Sequence, residues 1–231
     1  DLLDINKAIP ACREANNQYP EKIRFFYLLG RSLSKAERFE EALKWFEKAS
    51  DEGYVMAQYS LGITYQHGEG VEQSSEEAVK WYRMAADQGF ASAQVNLGWM
   101  YDIGDGVEQS SEEAIKWYRM AADQGDASAQ HNLGWMYANG EGVEQSYEEA
   151  VKWYRMAADQ GHGPAQINLG YLYYNGEGVE QSSEEAVKWY RMAADQGLAL
   201  AQYNLGWMYE YGEGVEQSSE KAANWYRLAA D

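Results

Sequence analysis

Four features of this sequence hold residue types that could do chemistry, and each lacks the spacing the chemistry needs. In SLSK, Ser32 stands three residues before Lys35, the first element of the serine nucleophile site of β-lactamases and penicillin-binding proteins. Neither S-D-N nor K-T-G follows, so both residues read as ordinary helix positions. His67, His131 and His162 form no HxxxH or HExxH pair on a helix, which argues against a zinc site. DIGDGVEQSSEE (102–113) has the outline of a calcium loop, but Gly104 and Gly106 stand where the third and fifth ligands belong. GEG is too short to cradle a phosphate, because no third glycine and no lysine follow it. The expectation is a protein with no catalytic residues, no metal and no cofactor, and not an enzyme.

Composition narrows the partners. A formal net charge of −18 repels phosphate backbones and anionic membrane surfaces, so nucleic acid is not expected to bind. Much of that charge sits in the repeated EQSSEE segment, which reads as a solvated face. A single cysteine, Cys12, allows no internal disulfide and no cysteine-based metal cluster. No apolar run approaches the roughly 18 residues that span a bilayer, so direct membrane insertion is not expected. A soluble chain of the cytoplasm or the periplasm fits, and Asp1 in place of methionine is consistent with removal of something upstream.

The elements that position these residues repeat. Trp45, Trp81, Trp117, Trp153, Trp189 and Trp225 recur every 36 residues, and GEGVEQSSEEAVKWYRMAADQG occurs unchanged at 68–89 and 176–197. A repeat of this period cannot bury its apolar face alone and must stack on its neighbours. Each unit reads as two helices. In ASAQVNLGWMYDI (91–103), Ala93, Leu97, Met100 and Tyr101 share one helical stripe. In SSEEAIKWYRMAADQ (110–124), Ala114, Trp117, Tyr118, Ala121 and Ala122 face inward while Glu112, Lys116 and Arg119 point away. Glu112 is placed to pair with Lys116 at i,i+4. Ser74 with Glu77, and its counterparts at 110, 146 and 182, have capping-box spacing. Glycines at 89, 125, 161 and 197 are placed to end the second helices, and the valine of GEGV to tuck back into the core.

The pattern Leu-Gly-x-x-Tyr, Gly-x-Gly-Val, Ala-x-x-Trp-Tyr-x-x-Ala-Ala and a closing Gly resembles the Sel-one-like repeat, a longer-looped relative of the tetratricopeptide repeat. The resemblance implies an all-α, right-handed α-solenoid superhelix of stacked antiparallel helix pairs. Residues 53–231 match as five such repeats in one continuous array, preceded over 1–52 by tetratricopeptide-like helices. From Gly30 to Ala42 the step is 12 residues against 16 from Gly98 to Ala114, so residues 21–50 look like one ordinary tetratricopeptide unit. Residues 2–17 look like the second helix of another, with Pro10 bending it or marking its start.

Second helices barely vary between units; first helices vary strongly. One column reads Tyr59, Val95, His131, Ile167, Tyr203; four residues on stand Ile63, Trp99, Trp135, Tyr171, Trp207; three further come Gln66, Asp102, Ala138, Tyr174, Glu210. These offsets lie on one helical stripe, edged by His67, Ile103, Asn139, Asn175 and Tyr211. Resemblance implies that first helices line a concave surface and that these columns contact a peptide. Asn96, Asn132, Asn168 and Asn204 match a position where the tetratricopeptide family often holds a peptide backbone or carboxylate; a structural bond between repeats is the other reading. The expected function is a non-catalytic scaffold or adaptor for a peptide or protein segment, with an accessory segment of a larger enzyme as the alternative. The ending WYRLAAD leaves an apolar face, for which end-to-end self-association is a further expectation.

Overall fold

The computed structural model describes residues 5–230, with the side chains of residues 5 and 6 left aside. Among them all regular structure is helical: α1 Ile5–Gln18, α2 Ile23–Lys35, α3 Phe39–Asp51, α4 Val55–His67, α5 Ser75–Asp87, α6 Ala91–Ile103, α7 Ser111–Ala122, α8 Ala127–Asn139, α9 Tyr147–Asp159, α10 Gly163–Asn175, α11 Ser183–Ala194, α12 Ala199–Tyr211 and α13 Ser219–Ala230. From α2 onward these form first-helix and second-helix pairs of an all-α repeat solenoid. Two compact units divide within α7, between Trp117 and Tyr118.

In the first unit, α1 runs through Pro10, so the proline does not mark the helix start; residues 2–4 of the expected helix lie outside the described residues. Leu29, Leu33, Ala49, Ala57 and Leu61 are fully buried together. The α2–α3 connection is only 36–38, with Glu37 at φ 58, whereas α4 and α5 are joined by 68–74. In the longer loop Gly68 adopts φ 70 and ends α4. Gln73 Nε2 then donates to the Gln66 carbonyl at 2.9 Å, pinning the loop to the helix end.

The second unit repeats this construction. Gln145, Gln181 and Gln217 donate to the carbonyls of Ala138, Tyr174 and Glu210 at 2.7–2.8 Å. Within a pair, first and second helices approach closely because the Leu-Gly glycine has no side chain. A Cβ on Gly170 would lie 2.8 Å from the Tyr190 ring. Successive pairs are held by buried glutamines: Gln166 Nε2 donates to the Ala158 carbonyl at 3.1 Å and its Oε1 accepts from Gln196 at 2.9 Å. The Ala158 carbonyl at the end of α9 thus accepts two bonds, from the Gly161 N–H at 2.9 Å and from Gln166. The second glycines of three GEG segments, Gly70, Gly178 and Gly214, pack against backbone, and a Cβ on Gly178 would fall 2.2 Å from the Tyr147 carbonyl carbon.

Two local expectations change. Ser74, Ser146 and Ser182 accept from the backbone N–H three residues on, but the reciprocal half of the capping box is absent. Their own N–H groups already donate to the Tyr65, Tyr137 and Tyr173 carbonyls. Lys116 pairs with Glu113 at 3.2 Å rather than with Glu112, because Glu112 is held by the Ser110 hydroxyl. As expected, Arg119 is exposed; its guanidinium donates to Tyr137 Oη, as Arg155 does to Tyr173 and Arg191 to Tyr209.

Candidate functional site

In the second unit the variable columns of α8, α10 and α12 present rings. Trp135 is 39% exposed, Tyr171 53% and Tyr203 54%. Apolar area of this size left in water is the usual mark of a contact surface. Trp207 is half-buried, edge-on to Tyr174 with centroids 5.5 Å apart and an interplanar angle of 86°, and it also packs on Tyr211 at 4.9 Å. Together Tyr171, Tyr174, Tyr203 and Trp207 wall a cavity of about 300 Å³, with Tyr190, Asn175 and Asn204 among its other lining groups. A neighbouring cavity of about 270 Å³ includes Trp135, Asn139, Asn168 and Glu177 in its wall. Ile167 departs from its column: at 8% exposure it belongs to the core.

His131 has a different role from its column mates. Its Nε2 lies 3.2 Å from Asn168 Nδ2 and its Nδ1 3.3 Å from Asn132 Oδ1. These partners fix the neutral tautomer with the proton on Nδ1. Its ring also packs on Tyr154 and, with centroids 4.9 Å apart, on His162. Burial first, and His162 second, pull its pKa down to about 4. His162 is lowered by burial too, while Asp126 acts to raise it. His162 Nδ1 accepts from Ala165 N–H and so caps α10. No HxxxH spacing signals this pair; stacking of adjacent units brings together residues 31 apart. Among the described residues no group of three or more His, Cys, Asp or Glu converges as metal ligands do.

In the first unit Tyr59 packs on Tyr82 and Phe90, and Ile63 lines a cavity of about 430 Å³ with Tyr59, Arg31 and Lys35. Gln66 accepts from Tyr82 Oη at 2.6 Å, and the Asn96 amide donates to the same hydroxyl. Trp99 is 40% exposed, while Val95 and Asp102 are half-buried. The Ser32 hydroxyl donates to the Leu28 carbonyl at 2.9 Å. Two of the four matched asparagines thus make bonds between helices of adjacent pairs, Asn96 to Tyr82 and Asn168 to Tyr154. Asn132 holds His131, and Asn204 faces the aromatic cavity. Glu210 is exposed and accepts from Tyr226 Oη at 2.6 Å.

The Sel1 repeat family model matches residues 26–54, 55–90, 91–126, 127–162, 163–198 and 199–231, and so takes in the short first unit as well as the five long ones. Among solved structures, a protective antigen of uropathogenic Escherichia coli strains with an SLR fold is 36% identical, with a TM-score of 0.91. That match covers 96% of this chain and 48% of the antigen, so the chain spans about half the length of that relative. A Sel1 repeat protein from Oxalobacter formigenes is 38% identical with a TM-score of 0.84, over 88% of this chain and 84% of that one. No curated protein matched the chain.

Proposed function

Because the chain belongs to the Sel1 repeat family, whose fold commonly serves as a protein-interaction scaffold and is generally non-catalytic, we propose that it binds a peptide or protein segment on the surface formed by its first helices. One observation carries this reading: in the second unit, successive first helices leave Trp135, Tyr171 and Tyr203 about half in water, next to amides of Asn175 and Asn204. Folding is served by burying such rings, and rigid aromatics give contact area to a partner at low entropic cost. Amides beside them suit the backbone of an extended segment.

The test is a random dodecamer display library panned on the whole chain, with selected peptides measured by calorimetry. Replacing Trp135, Tyr171 and Trp207 together by alanine should weaken binding at least about tenfold, the effect of losing one hot-spot contact, with the helical circular-dichroism signal unchanged. Equal binding to the triple variant would place the partner elsewhere and end this reading.

A further inference from the structure

We infer that the aromatic cavity between α10 and α12 receives the guanidinium of an arginine side chain. The inference rests on the binding surface proposed above and names the chemistry of one of its anchors. Three observations converge on it. Four of its lining residues are aromatic, Tyr171, Tyr174, Tyr203 and Trp207, and ring faces attract cations through their quadrupole. Tyr174 and Trp207 stand nearly perpendicular, 86° apart, so a planar cation stacked on one ring meets the edge of the other.

The polar groups of the cavity are free to accept. In two other pairs the equivalent tyrosine is satisfied within its own pair, since Tyr82 donates to Gln66 and Tyr226 to Glu210, both at 2.6 Å. In the α10–α11 pair the residue at that position is Tyr174. Among the described residues Tyr190 Oη makes no side-chain hydrogen bond, and the same holds for the Asn175 and Asn204 amides lining this cavity. A guanidinium carries five N–H donors in a fixed plane and can use several such acceptors at once, whereas an ammonium is a compact, strongly hydrated point charge.

Charge points the same way. No lysine or arginine lines the cavity, Glu210 lies one turn from Trp207 on α12, and the chain carries a net charge of −18. A carboxylate or phosphate would meet no counter-charge here. An apolar side chain would fill the ring walls but leave Tyr190, Asn175 and Asn204 without partners.

The probes are three capped pentapeptides, Gly-Gly-X-Gly-Gly, with X as arginine, lysine or norleucine. Each is titrated into the whole chain while the Trp207 indole N–H is followed by NMR. The arginine peptide should shift that resonance saturably and bind about tenfold more tightly than the norleucine peptide, with lysine between them. Trp207→Leu stays apolar and keeps every charge while removing the ring face, so it should remove the arginine preference, now followed through the Asn204 side-chain amide, while leaving general attraction to the acidic chain. Trp207→Phe, which restores a ring face, should recover part of it. Equal affinity for norleucine and arginine would make the cavity a plain apolar pocket and overturn the inference. An arginine preference unchanged in Trp207→Leu, or no response to the arginine peptide, would also overturn it. Dodecamers selected by the chain without any basic residue would leave the binding surface standing and sink only the arginine anchor.

Discussion

Acid should destabilise the second unit through His131, and the size of the effect follows from its surroundings. Unfolded, the imidazole titrates near 6.5; folded, its pKa is pulled down to about 4, because burial first and the neighbouring His162 second outweigh the Asn132 hydrogen bond, which acts to raise it. The folded state therefore binds fewer protons between those values, and stability must fall as pH drops through that window. A shift of this size corresponds to at most about 3.5 kcal/mol, at roughly 1.4 kcal/mol per pH unit. Protonation would also set an N–H on Nε2 against the Asn168 amide donor. The groups around the pair are Tyr154, Asn132, Asn168 and His162, with Asp126 acting on His162. Urea unfolding at pH 7.5, 6 and 4.5 should be compared between the native chain and His131→Ile, isoleucine being the residue at the same column of α10. Carboxylates and His162 titrate in both proteins, so their contribution largely cancels. The native chain should lose on the order of 2–3 kcal/mol more than the variant across this range. Parallel stability curves would refute the assignment of His131 as a neutral, hydrogen-bonded interior residue.

Other perturbations follow from the packing. Gly178→Ala combines φ 68 with a 2.2 Å approach to backbone, and should cost well over the roughly 1 kcal/mol of strain expected for Gly197→Ala, which has φ 85 but open space; denaturant midpoints would order the two. Gln166→Leu removes two buried bonds, to the Ala158 carbonyl and from the Gln196 amide, while Ala158 keeps the Gly161 N–H and Gln196 the Met192 carbonyl, and should cost about 1–2 kcal/mol, read in the same way. Ser182→Ala removes the α11 cap on Glu185 N–H and should lower stability by about 1 kcal/mol; an unchanged melting temperature would deny the cap its role.

The helix pairs, their buried stripes and the glycine stops were legible because each is written in local sequence and then repeated. Ala93, Leu97, Met100 and Tyr101 share a face by spacing alone, and all are buried. Polar partnerships were less legible, because spacing gives a side chain's face but not its competitors. Glu112 and Lys116 have ideal spacing, yet Ser110 takes Glu112 first. Ile167 shares a column with Tyr59, His131 and the exposed Tyr203, but it is buried in the core. His131 and His162 meet only because two units stack, a long-range contact without a motif. The Gln-to-Gln and Arg-to-Tyr ties could have been read from the invariance of those residues, which chemistry-led searching passes over.

The column Gln66, Tyr174 and Glu210 shows how a repeat array can make one unit's surface unlike the next. The second-helix tyrosine beneath it is nearly the same object in each pair: Tyr82, Tyr190 and Tyr226 each pack against a glycine of the first helix. Where the column offers an oxygen, as Gln66 and Glu210 do, the hydroxyl is used up inside the scaffold. Where it offers a ring, as Tyr174 does, the hydroxyl is left for something else and a wall is added beside it. A single substitution in the variable column thus changes both the shape and the hydrogen-bonding demand of a cavity without touching the stacking. In the binding proposed above, recognition would be written in what the invariant scaffold leaves unsatisfied: the most preserved segment, GEGVEQSSEEAVKWYRMAADQG, supplies the frame, and the first helices would supply the reading surface.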